Sequence, residues 1–218
     1  MFIDLKNMKA MVFLLSSVVV ASATELTFDI GTVANAQVID QDYGDRVTNF
    51  TVGSFSYGSA GGFTPNVEVA YGALDPKLWT TGYGSLTNVL YDEIDNTGFI
   101  TVSLSADSGY MVELQSFQLA DFSASDSVVG LISVDSATDN LYSVSDSIVS
   151  SSTFTDYDFT SSPLVANSLE ITIDARNLGG GSDNIGIDNI VFSQVAVPEP
   201  STAILSLLSL VGLLRRRR

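Results

Sequence analysis

Apolar residues that recur at every second position constrain this chain more than any other feature. Val67, Val69 and Tyr71 alternate with Glu68 and Ala70, and Ile100, Val102 and Leu104 repeat the pattern further on. Successive side chains of a strand point to opposite faces, so a period of two sets one face against a core and the other in water. Runs rich in Val, Ile, Thr, Phe and Tyr at 26–30, 66–71, 86–91, 99–104, 111–119, 128–134, 169–173 and 185–192 are bounded by Gly, Asp, Asn or Ser. No stretch between Thr24 and Val197 keeps a helical period. Turn signals at roughly ten-residue spacing predict an all-β fold of two packed antiparallel sheets, a β-sandwich. The Ser-, Asp- and Thr-dense segment 121–162 still carries apolar runs at 128–134 and 154–159, which predicts edge strands joined by long loops. The Gly-rich patches 58–62 and 179–181 do not lead from a strand into a helix, as a phosphate-binding loop must, and read as loop tips.

Cysteine and histidine are both absent from the 218 residues. That excludes Cys and His nucleophiles, Ser-His-Asp triads and the common zinc sites, and it leaves the fold to hold by its core alone. Between Thr24 and Val197 there are 23 acidic residues against 3 basic ones, Arg46, Lys77 and Arg176, a net of −20. Such a surface repels phosphate backbones and anionic headgroups, so nucleic acid is not an expected partner; divalent cations or neutral ligands suit it better.

Neither end of the chain belongs to this β pattern. At the front, Lys6 and Lys9 precede an apolar run at 11–20 and then Ala21, Ser22 and Ala23, the parts of a secretory signal peptide with cleavage expected after Ala23. Met8 is a plausible alternative start. At the back, Val197, Pro198, Glu199 and Pro200 precede an uncharged run at 201–214 and then Arg215, Arg216, Arg217 and Arg218. A helix over the 15 residues 200–214 would be about 22 Å long against a hydrocarbon core of about 30 Å, a short span. Four consecutive arginines hold their end on the cytoplasmic side, which leaves the β body outside. The expected organisation is a signal peptide at 1–23, a β-sandwich at 24–196 and a C-terminal segment at 197–218.

Pro-Glu-Pro, a short apolar helix and an Arg cluster in that order resemble the PEP-CTERM sorting signal, which a membrane enzyme, exosortase, recognises in some Gram-negative bacteria. The resemblance covers about 22 residues, 197–218. It implies Sec-dependent export, an inner-membrane intermediate, and removal of the helix and arginines near Pro198 to Pro200. Release at the cell surface or into the extracellular polysaccharide matrix would follow. An ordinary C-terminal anchor is the competing reading. Within the body, the stretch from Ser103 to Tyr110 leading to Leu114, Gln115, Ser116 and Phe117, and the closing block from Gly186 to Phe192, resemble jelly-roll domains of the carbohydrate-binding and galactose-binding-like type. That likeness implies a last strand whose acidic residue meets the first strand, and a non-catalytic sugar-binding or structural module.

Three constellations are candidates for a site. The jelly-roll resemblance implies a structural Ca²⁺ where first and last strands meet, with Glu25, Asp29, Asp188 and Asn189 supplying the oxygens such an ion needs; alternatively Asp188 and Asn189 only satisfy a turn. Trp79, between Pro76 and Gly82, is expected on a loop near Tyr83, with Tyr57 as a third ring. Exposed rings there would stack on a sugar, whereas a lone Trp in a small sandwich is otherwise a core residue. Arg46, surrounded by carboxylates, is expected to tie its loop to a neighbouring Asp as a bidentate pair. The acidic turn 92–98 lacks EF-hand spacing and reads as a turn. Paired carboxylates are all a polysaccharide-cleaving enzyme needs, and such an enzyme is the alternative to a non-enzymatic body.

Overall fold

The computed structural model describes residues 22–31, 34–49, 51–52, 55–56, 61–72, 76–92, 98–176, 178 and 184–197. The signal peptide up to residue 21, Tyr57, the acidic turn over 93–97, the Gly-rich patch 179–181, and Pro198, Glu199, Pro200, the apolar run and the four arginines lie outside the described residues. Among the described residues every regular element is a strand, and no helix is long and apolar enough to cross a membrane.

Two antiparallel sheets enclose one core. The larger runs in the order β12 (Thr155–Asp158), β9 (Tyr110–Asp121), β15 (Ile185–Ala196), β7 (Val89–Asp92), β6 (Pro76–Trp79), β2 (Gln37–Val38). Two short strands join it beside that path, β1 (Thr24–Leu26) on β15 and β13 (Leu164–Ala166) on β9. The second sheet runs β11 (Asn140–Val149), β10 (Ser127–Asp135), β14 (Ser168–Asp174), β8 (Phe99–Ala106), β5 (Val67–Tyr71). A small hairpin pairs β3 (Thr51–Val52) with β4 (Phe55–Ser56).

Alternation sets the register. Val69 lies opposite Leu104, Leu104 opposite Leu169, and Val102 opposite Ile171, so buried rows line up across β5, β8 and β14. They meet Leu114, Phe117, Ile187, Ile190 and Phe192 of the facing sheet in a single buried cluster. A one-residue slip would turn each row into water, which is why the pattern specifies the pairing.

The edge of β5 is closed by the loop before it. The Val69 N–H donates to Asp45 Oδ1 at 2.6 Å, the Tyr71 N–H to Gln41 Oε1 at 3.1 Å, and the Arg46 N–H to the Val67 carbonyl at 2.8 Å. Arg46 then forks onto both oxygens of Asp107, at 2.5 and 3.0 Å, and reaches Glu68 at 2.6 Å, so it fixes its loop as expected. An edge whose donors are already taken cannot recruit another strand there.

Three segments differ from expectation. Residues 121–162 do supply edge strands, β11 and β12, but the joining loops are short rather than long, and β11 pairs along its length with β10: Val128 with Ile148, Ile132 with Val144 and Val134 with Tyr142. The first strand is Thr24–Leu26, not 26–30, because Phe28 takes a left-handed φ of 54° that ends the extended run. Trp79 closes strand β6 instead of riding a loop.

Candidate functional site

The candidate site lies where β15 changes partners. On one side it pairs with β7 through Gly186 and Ile187, and beyond a bulge it pairs with β1 through Ile190, Val191 and Phe192. The bulge falls between Asp188 and Val191, with Asn189 at a left-handed φ of 49°. The approaching chains bend the same way, Phe28 at φ 54° after β1 and Asn88 at φ 59° before β7. Asn tolerates that conformation, whereas Phe does so at a cost; here the Phe28 N–H is held by Tyr43 Oη at 2.9 Å and its ring packs 5.4 Å from that of Tyr43.

Asp188 sits at this junction with 3% exposure. Its Oδ1 accepts the Asn189 N–H at 2.7 Å, its one hydrogen bond among the described residues. Burial in a low-dielectric surround disfavours the charged form, and the nearby carboxylates Asp29 and Glu25 add repulsion. Together they outweigh the Asn189 N–H and push the Asp188 carboxyl up to about 8. Asp29 in turn accepts from Asn88 Nδ2, and Asn189 Nδ2 donates to Gln118 Oε1 at 2.8 Å.

First and last strands therefore meet, as the jelly-roll resemblance implies, and Asp29 and Glu25 lie close enough to act on Asp188. Among the described residues, however, no three acidic side chains converge at metal-binding distance. Asn88 and Gln118 belong to the junction and were missed; Asn88 carried the signal of an Asn before a strand, while nothing around Gln118 distinguished it.

The aromatic candidates separate. Tyr83 is a core residue at 1% exposure, so it offers no face to a sugar: its ring packs 5.1 Å from Phe122 and 6.3 Å from Tyr91. Trp79 is half-buried, edge-on to Tyr91 at 5.6 Å and to Phe122 at 5.8 Å. With Leu86, Val89 and Ala120 these rings form a second cluster apart from the main core. On β6 and β7 its members alternate with Leu78 and Leu90 of the main core, so the cluster covers the sheet's other face. Gly186 makes room for it: a Cβ there would fall 2.5 Å from Val89 Cγ2 and 2.9 Å from Tyr83 Cδ1. Nearby, Gly72, Pro76, Tyr91, Phe99, Ile100 and Thr101 line a shallow cleft with a volume of about 10 Å³, far below the roughly 300–1,000 Å³ of ordinary ligand sites.

Fold and junction define an all-β, sandwich-like protein. No family model and no curated protein matches the chain. Among solved structures it is similar to a Stig cyclase, Fisc, from Fischerella sp. TAU, crystallised with (3Z)-3-(1-methyl-2-pyrrolidinylidene)-3H-indole: 14% identity over 81% of this chain and 100% of that one, TM-score 0.38. A second cyclase from Fischerella sp. TAU, with 4-(1H-indol-3-yl)butan-2-one, gives 13% identity over 82% of this chain and 91% of that one, TM-score 0.31. These weak neighbours are enzymes, and likeness at this level carries neither activity nor ligand to this chain.

Proposed function

We propose that the chain is an exported surface or extracellular-matrix protein of a Gram-negative bacterium, delivered by the Sec machinery and released by an exosortase-type enzyme. Its body would be a jelly-roll-like module that binds a neutral polysaccharide or serves structurally, without catalysis. One observation carries this: the ordered sheet runs through Ala196, and Val197 donates its N–H to the Gly109 carbonyl at 2.8 Å, immediately before Pro198, Glu199 and Pro200. A removable label has to leave the sheet's pairing intact, and the Pro-Glu-Pro block follows the last described rung of it.

A polysaccharide-cleaving enzyme needs one protonated and one ionised carboxyl flanking a bond. The raised Asp188 carboxyl is the candidate acid at the junction, but at 3% exposure it has no access to a glycosidic oxygen. That favours the non-catalytic module. Structural calcium at the junction is a subordinate proposal, supported by a buried carboxyl with a single hydrogen bond among the described residues and requiring Asp29 and Glu25 to close on it.

The test is expression of the full chain in a Gram-negative host with and without an exosortase, with mass spectrometry of the C-terminus. Loss of Arg215 through Arg218 and the apolar run, only where the exosortase is present, is the expected result. An exported product that keeps its arginines in the exosortase host defeats the proposal.

A further inference from the structure

The first and last described residues lie at the same end of the larger sheet. Thr24 lies opposite Phe192, and two residues earlier the Ser22 carbonyl accepts the Phe63 N–H at 3.1 Å. Ala196 lies opposite Tyr110, and Val197 is held by Gly109. Asn66 binds this end to β15 by donating its N–H to Gln194 Oε1 at 2.9 Å. Three apolar side chains are bared here, Phe63 at 37% exposure, Val195 at 40% and Val197 at 38%, beside the turn of Asp107 and the exposed Ser108 and Gly109, where Asp107 pairs with Arg46.

The link to the apolar run is short. Three residues, Pro198, Glu199 and Pro200, separate Val197 from Ser201, and the four steps between them, at no more than about 3.6 Å each, reach about 14 Å. The polar layer on each side of a bilayer is about 5–8 Å thick. A chain whose apolar run lies in the hydrocarbon thus holds Val197 within or at most about 9 Å above the headgroups, and the sandwich has little tether with which to stand off.

We propose that the end of the sandwich bearing Phe63, Val195 and Val197 is a membrane-seating surface that rests in a zwitterionic headgroup layer while the tail is in place. The inference rests on the sorting reading above, since only an inserted tail brings this end to the membrane. A zwitterionic surface is specified because a body of 23 acidic and 3 basic residues is repelled by anionic lipid. Three partly exposed apolar side chains give weak attraction on their own, so removal of the tail frees the body.

The absence of cysteine permits a direct test. Phe63→Cys and Val195→Cys place a nitrobenzoxadiazole label at the seated end. Val38→Cys and Ile148→Cys place it at the far end, since Val38 aligns through Lys77 and Tyr91 with Gly186. Ile148 pairs with Val128, next to Ser127, which bonds Asp121 opposite Ile185. Along β15, Gly186 and Val195 are about 30 Å apart at 3.3 Å per residue. The full chain, tail included, is reconstituted in phosphatidylcholine vesicles; flotation is read first, then quenching by headgroup spin-labelled phosphatidylcholine. Flotation with quenching at 63 and 195 at least about twofold that at 38 and 148 is the expected result. Flotation with equal quenching at all four positions overturns the seating surface and leaves the sorting reading standing. Failure to float overturns the inserted tail, and the seating surface with it.

Discussion

Replacing Asp188 by Asn should stabilise the protein at neutral pH. The Asp188 carboxyl is raised from 3.8 to about 8 by burial and by Asp29 and Glu25. At pH 7 the folded chain therefore keeps a proton that the unfolded chain has released. Fewer protons bound in the unfolded state mean stability falls as pH rises, here from about 4 until the folded group itself ionises near 8. At about 1.4 kcal/mol per unit, the window up to pH 7 sets a ceiling of about 4 kcal/mol. Local relaxation and water entry reduce this, and we expect about 1–3 kcal/mol. Asn is neutral at every pH and keeps an oxygen for the Asn189 N–H, so Asp188→Asn removes the penalty and keeps the bond. For a body this size the gain is a rise in Tm of about 2–4 °C per kcal/mol. Circular-dichroism melts in EGTA and a mild detergent at pH 5, 7 and 8.5 should show the variant's advantage growing from the lowest pH to the highest. Parallel pH profiles, or a lower Tm for the variant at pH 7, refute the assignment of Asp188 as the costly group.

Gly186→Ala should destabilise by about 1–3 kcal/mol, because its methyl group overlaps Val89 and Tyr83 on a packed face; an unchanged melting midpoint shows that the second cluster is looser than described. If calcium occupies the β1–β15 junction, millimolar Ca²⁺ should raise Tm at pH 7 and EGTA reverse it, and Asp188→Asn should abolish the response; equal midpoints with Ca²⁺ and with EGTA end that proposal. If the body binds polysaccharide through Trp79, Trp79→Ala should lose glycan-array signal while retaining a cooperative melt, whereas an array blank for the unmodified protein leaves the structural role.

Legibility followed how much a segment's neighbours are fixed by its own pattern. β5, β8 and β14 could be read directly, since Val67, Val69 and Tyr71, Ile100, Val102 and Leu104, and Leu169, Ile171 and Ile173 declare their buried face. β11 could not. An edge strand presses on the core only through residues such as Tyr142 and Val144, and the serines around them have the composition of a loop. β6 was hidden by Pro76 and Lys77, which are poor strand formers tolerated beside β2 at the sheet's margin. The meeting of Glu25 and Asp29 with Asp188 followed from the jelly-roll resemblance. The burial of Asp188 did not, because it depends on β15 passing from β7 to β1 at that residue, a register between segments about a hundred residues apart. Trp79 and Tyr83, four residues apart, share loop-like punctuation yet part company in burial. Only the fold over the larger sheet decides which ring is covered.

If the proposed cut takes place, the rung between Val197 and Gly109 would also bear on the fate of the released body. Cutting just past it would leave a carboxy terminus flush with the sheet, too short and too firmly laced for an exopeptidase to grasp. Durability outside the cell would then come from where the cut falls, in a chain that has no covalent cross-links to lend it.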